Sequence, residues 1–182
     1  MNKKVLASAI AAIVLALSSV ISGAAEKAEG KAAPTITASF AASEITPGAT
    51  WKNYLKASDP DGDMRDIVAT VKQAGVGVYP VSFTRIREEN RKELSGYVYL
   101  NTLSGSNYSS LLYYGLNLTI WVRDKAGNFS NPVDVPLTFG SRVEDRQAPP
   151  SGAYKEQDLG PIMIPLRSIS AHNDLGGFGI TP

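Results

Sequence analysis

Residues 116–139, LNLTIWVRDKAGNFSNPVDVPLTF, constrain the fold more than any other part of this chain. Leu116, Leu118, Ile120 and Val122 alternate with Asn117, Thr119, Trp121 and Arg123, the period of a strand with one face in a core. Turn formers follow at 124–128, and Val133, Val135, Leu137 and Phe139 then repeat the alternation. Two such runs around an Asp/Gly/Asn turn predict an antiparallel β-hairpin.

The rest of the chain supplies further strands. Alternating or β-rich runs fall at 35–40, 51–57 with Trp51 packed inward, 66–73, 81–87 and 94–100. Between them lie turn formers: Pro47-Gly48, the Asp/Pro/Gly run at 58–63, and Gly75, Gly77 and Pro80. The mixed charges at 88–93 read as a solvated hairpin tip. This gives about seven short strands over 35–140 and no helix, the size and punctuation of one all-β, antiparallel sandwich.

Two short runs carry a resemblance. Val122-Arg123-Asp124-Lys125-Ala126-Gly127-Asn128 resembles the V-x-D-x-A-G-N end of the penultimate strand in immunoglobulin-like and fibronectin type III-like domains of bacterial surface proteins. Residues 57–63 resemble the A-x-D-P-D-G-D segment of cadherin-like domains. The resemblance implies a single immunoglobulin-like β-sandwich over 35–140, with Tyr113 or Tyr114 bonded back to the backbone at a corner. It further implies a class of non-catalytic spacers, adhesion modules and assembly partners. The chain departs from antibody domains in having no cysteine for a disulfide, so the expected sandwich stands on its apolar core alone.

At the amino terminus, Lys3 and Lys4 precede an apolar run at 5–21 and the small residues Ser22-Gly23-Ala24-Ala25. These are the three regions of a secretory signal peptide, expected at 1–25 and removed after Ala24 or Ala25. A flexible leader is expected at 26–34. The mature chain is then exported to the periplasm or the cell exterior, with no membrane span left. Loss of Lys3 and Lys4 takes the formal charge from +1 to −1, which leaves no electrostatic footprint for nucleic acid.

Residues 141–182 change character, with Pro149-Pro150, Pro161, Pro165 and Gly176-Gly177. They read either as a disordered tail or as one whose apolar residues Ile162, Ile164 and Leu166 dock on the domain or on a partner's sheet edge. As a partner contact, the tail would be removable without loss of folding.

Asp59, Asp61 and Asp63, with Gly62 between them, bring hard oxygen ligands together on a turn, and Asp124 can approach the same end of a sandwich. Calcium is the cofactor they would suit. An Asp/Gly turn that needs no ion is the simpler account, and it is preferred. Trp121 points to the outward face of its strand; with Tyr97 or Tyr99 it would make a stacking platform for sugar rings or an anchor for a protein. Cover by the tail is the preferred reading for that ring. Catalysis is not expected: His172 is the one histidine, no cysteine and no G-x-S-x-G run occur, and Gly75-Val76-Gly77 lacks what phosphate binding requires. The sequence thus points to an exported non-catalytic module that binds an envelope or extracellular protein, or alternatively a carbohydrate through Trp121 and nearby tyrosines.

Overall fold

The structure is a computed structural model, and it describes residues 32–102, 115–140 and 148–166. Ten strands lie among the described residues: β1 (Thr35–Ala41), β2 (Glu44–Ile45), β3 (Thr50–Ser58), β4 (Met64–Gln73), β5 (Gly77–Val78), β6 (Ser82–Arg85), β7 (Glu93–Asn101), β8 (Leu116–Asp124), β9 (Val133–Phe139) and β10 (Asp158–Pro161). Seven of them stand where alternation placed them; β2, β5 and β10 are short additions. Tyr113 and Tyr114, proposed for the corner, lie outside the described residues.

β8 and β9 form the expected hairpin, with Leu116 opposite Leu137 and Ile120 opposite Val133. Strands β1, β3, β7 and β10 make a four-stranded sheet in that order. Strands β2, β9, β8, β4 and β5 make the second sheet, with β6 also paired to β4. The two sheets pack as an all-β sandwich. Its core takes Trp51, Leu55, Val98 and Leu100 from one sheet and Ile67, Val71, Leu118, Ile120 and Leu137 from the other, all essentially inaccessible to water. Trp51 can sit there because its Nε1 donates to the carbonyl of Ala42 at 2.8 Å. Among the described residues no helix is long and apolar enough to cross a membrane.

Each open side of the sandwich is closed by a segment that adds in parallel. After β1 the chain crosses to the other sheet, where β2 runs parallel to β9 and Ser43 O accepts the Thr138 N–H. The Asn131 amide holds both backbone groups of Ile36, accepting from its N–H at 2.9 Å and donating to its carbonyl at 3.2 Å. On the opposite side β10 runs parallel to β7, with Ile162 N donating to Tyr99 O at 2.7 Å. The same segment is tied to the second sheet through β6: Thr84 Oγ1 donates to Pro161 O at 2.7 Å, and Met163 N donates to Ser82 Oγ at 2.8 Å.

Ile162, Ile164 and Leu166 are 4–5% exposed and belong to the core. Two glycines make room for their approach. A Cβ on Gly96 would stand 2.5 Å from Gln157 O, and one on Gly160 would stand 2.7 Å from Thr84 Cγ2, where φ is also +125°. Of the readings open for this segment, the one in which these apolar residues dock on the domain describes where they lie, and a partner's sheet edge does not. One expectation is corrected here: the charged run at 88–93 is not a hairpin tip, because β6 and β7 lie in different sheets. It contains a single 3-10 turn, Glu88–Asn90, and its Arg91 and Lys92 carbonyls accept the N–H groups of Met64 and Asp59.

Removing the chain after residue 140 therefore strips three core side chains and uncovers an edge strand. Equilibrium urea unfolding of that truncation is expected to show no cooperative transition, whereas Ile164→Ala in the full chain keeps one and loses about 2–5 kcal/mol. A truncation that unfolds at the full chain's midpoint would show the segment to be dispensable.

Candidate functional site

The outward side chains of the six-stranded sheet are set by register. Val68 of β4 faces Phe83 on β6 and Trp121 on β8, which makes one row across three strands. The next row is Arg85, Asp66 and Arg123, and an isolated bridge sets Phe129 opposite Arg123. Directly opposed residues in antiparallel strands stand within side-chain contact. An aromatic row thus borders a charged one. Phe83 and Phe129 are 52% and 49% exposed, and Trp121 is half-buried.

Asp66 is the hub of the charged row. It is buried, and it accepts from Arg123 Nη2 at 2.6 Å, Arg65 Nε at 2.8 Å and Arg85 Nη1 at 3.2 Å. Burial on its own raises its pKa. The hydrogen bonds from Arg123, Arg65 and Arg85 outweigh that and hold the carboxyl below its ordinary value. The Arg123 guanidinium also stacks on both exposed rings, 4.9 Å from the Phe83 centroid and 5.9 Å from that of Phe129. Three guanidinium groups around one carboxylate leave the face positive, while stacking fixes the orientation of Arg123.

The four candidate calcium ligands do not assemble into a site. Asp59 is buried, with Oδ1 accepting from the Asp61 N–H at 3.0 Å and Oδ2 from the Asp63 N–H at 3.1 Å. Asp61 is exposed and accepts from Ala32 N at 2.7 Å. Asp124 accepts from both the backbone and the side-chain nitrogen of Asn128 at 2.8 Å. The two loops do share one end of the sandwich, since Lys125 N donates to Asp63 O at 3.2 Å. Among the described residues, however, no group of three or more Asp, Glu, His or Cys side chains is placed to hold a metal ion. Asp59 and Asp124 spend their oxygens on donors of their own turns, the work an Asx turn does without an ion. Burial raises the Asp59 pKa, an effect that the Asp61 and Asp63 N–H groups partly offset and the neighbouring Asp63 carboxylate reinforces.

Trp121 and the tyrosines Tyr97 and Tyr99 do not form one platform. Trp121 faces outward from the six-stranded sheet, and Tyr97 and Tyr99 face outward from β7 in the other. The core lies between them. The described part of the tail, 148–166, runs beside β7 and the β6 edge, and residues 141–147 and 167–182, which also belong to the segment expected to cover Trp121, lie outside the described residues. Tyr97 and Tyr99 join a different aromatic set: the Tyr97 ring is 5.5 Å from that of Tyr54 and 6.5 Å from that of Tyr99. Ile162, Ile164 and Leu166, the other candidate contact residues, are buried in the core of this chain.

Comparison with known proteins adds no assignment: no family model matches the chain, and neither does any curated protein or solved structure.

Sequence reasoning found Trp121 and missed Asp66, Phe83, Arg85 and Phe129. A signal was present in Phe83-x-Arg85, Asp66-x-Val68 and Trp121-x-Arg123, each an outward pair on an alternating strand. Alignment of the pairs into rows depends on register, which alternation alone does not give.

Two measurements check this account. Unfolding midpoints in millimolar calcium and in chelator are expected to coincide, and a rise with calcium would place an ion among the Asp residues. The second is pH dependence. A carboxyl with a lowered folded pKa adds stability that is present above its unfolded value, about 3.9, and lost as pH falls through the folded value. Asp66→Asn is therefore expected to cost about 1–3 kcal/mol at neutral pH and to flatten the fall in stability below about pH 4. An unchanged acid limb would remove Asp66 from that role.

Proposed function

We propose that this chain is an exported, non-catalytic module built like an immunoglobulin or fibronectin type III domain. It binds a protein partner in the bacterial envelope or outside the cell. The surface it uses is the outer face of the six-stranded sheet, and the partner surface is acidic.

The observation that carries this reading is the pair of exposed rings, Phe83 and Phe129, stacked on Arg123 beside an oriented arginine row. Exposed large apolar side chains grouped on one face are costly unless a partner covers them. Aromatic residues and arginine are the types enriched where binding energy concentrates in protein interfaces. Asp66 neutralises only part of the charge of Arg65, Arg85 and Arg123, so carboxylates on a partner complement what remains. Support for the domain type comes from the strand split, with β1, β3 and β7 in one sheet and β9, β8, β4 and β6 in the other, the division that immunoglobulin-type sandwiches use. The charged, apolar and small-residue regions of residues 1–25 support export. A non-catalytic role is supported by Asp59 and Asp66, the buried carboxyls with shifted pKa, whose oxygens are committed to donors of the fold itself.

The test uses immobilised protein incubated with envelope and secreted fractions of the native host, followed by affinity measurement for the protein retained. The double variant Phe83→Ser/Phe129→Ser and the single variant Arg85→Glu should each weaken binding at least about tenfold, or about 1.4 kcal/mol. Added salt should weaken the wild type. Retention unaffected by either variant would overturn the assignment of this face.

A further inference from the structure

We infer that a cavity beside the β1–β2 crossing, lined by β2 and by outward residues of β1 and β3 in the four-stranded sheet, is a binding site for a neutral saccharide. The site is separate from the protein-binding face, and the inference does not depend on that reading.

The cavity encloses about 580 Å³, within the size range of small-molecule sites. Its apolar lining includes Phe40, Tyr54, Ile45 and Pro149. The Phe40 and Tyr54 rings stand 6.4 Å apart and are tilted by 55°. Tyr54 is held from its other sides by Tyr97 at 5.5 Å and Tyr154 at 5.6 Å, so its ring has little freedom to move. The polar groups converge on Glu156. Its Oε1 accepts from the Tyr54 hydroxyl at 2.6 Å, and its Oε2 accepts from Lys52 Nζ at 3.1 Å. Lys52 Nζ is also 4.2 Å from the centroid of Tyr97. The Tyr54 and Lys52 hydrogen bonds hold the Glu156 carboxyl below its ordinary pKa.

These groups select a chemical class. A sugar ring has an apolar C–H face and hydroxyls that both donate and accept. The half-buried Phe40 ring takes the first, with the buried Tyr54 ring behind it. A paired ammonium and carboxylate, one a donor and the other an acceptor, take the second without any change in net charge. A charged ligand must instead compete for one member of the Lys52–Glu156 pair, and Glu44 at the rim adds repulsion against anions. A wholly apolar ligand would cover the ion pair and replace none of its hydration. Tyr97 and Tyr99, first considered beside Trp121, thus belong to the aromatic surface next to this cavity.

The test is an array of neutral hexose and N-acetylhexosamine oligosaccharides together with acidic ones, with titration of the strongest neutral binder by calorimetry. Expected is binding to a neutral member that Tyr54→Phe and Glu156→Gln each weaken at least about tenfold, while Phe83→Ser leaves it unchanged. Tyr54→Phe keeps the ring and Glu156 is an exposed side chain, so unfolding midpoints near that of the wild type will show both variants folded. Binding confined to acidic saccharides would overturn the inference. So would binding insensitive to both variants, or no saccharide bound at millimolar concentration. Uptake of indole or a phenylalanine-bearing peptide in place of any saccharide would assign the cavity to an apolar side chain and equally overturn it.

Discussion

A β-sandwich is held by apolar side chains between two sheets, and its weak places are the sides, where neither sheet covers the other and unpaired strand edges face water. In this chain both sides are closed from within. The crossing from β1 to β2 closes one, and 158–166 closes the other. The second closure does more of the work, because it brings Ile162, Ile164 and Leu166 into the core while its backbone pairs with β7 and accepts and donates to β6. Without it the core would be open along its length. The packing of Val98 and Leu100, the position of β6, and hence the outward placement of Phe83 and Arg85 on β6 all depend on this seal.

Closure also explains how the two outer faces can carry unusual chemistry. With the edges covered, polar and aromatic residues on the outward faces need not contribute to holding the sheets together. On one face Asp66 gathers three arginines that would otherwise repel each other. On the other Glu156 does a similar service for Lys52 and the Tyr54 hydroxyl. In both cases an acidic side chain orders larger groups around it. The two arrangements differ in burial: Asp66 is enclosed and contributes to stability, while Glu156 is exposed and adds little beyond orientation.

The fold was legible in the sequence to the extent that side chains alternate. Leu116 to Val122 and Trp51 to Ala57 announced their inner and outer faces, because half-buried strands repeat every two residues. β10 was not legible. Its stretch, Asp158-Leu159-Gly160-Pro161, has a glycine with φ of +125° and a proline, both signals of irregular chain, and its pairing partner β7 is some sixty residues earlier. The glycine is there because β6 passes too close for a Cβ. The sites were still less legible. Asp59, Asp61 and Asp63 have the composition of a calcium loop, yet hydrogen bonds from backbone N–H groups decide what the oxygens of Asp59 and Asp61 do. Trp121, Tyr97 and Tyr99 share the outward phase of alternation, but which sheet each strand joins decides that they face opposite ways. Phase is a local property, whereas sheet membership and register are set by contacts distant in sequence.

The position of the closing segment in the chain has a consequence for how the molecule comes into being. Among the described residues every core side chain outside 162–166 precedes that stretch, so a polypeptide made amino end first carries an incomplete core until it arrives. Parallel pairing with a strand some sixty residues upstream then requires a large loop to close before any reward is gained, which makes the final step slow. Until 158–166 pairs with β7, the sandwich therefore lacks three of its core side chains. A sandwich whose seal comes from the last of its described strands completes its core in one late step.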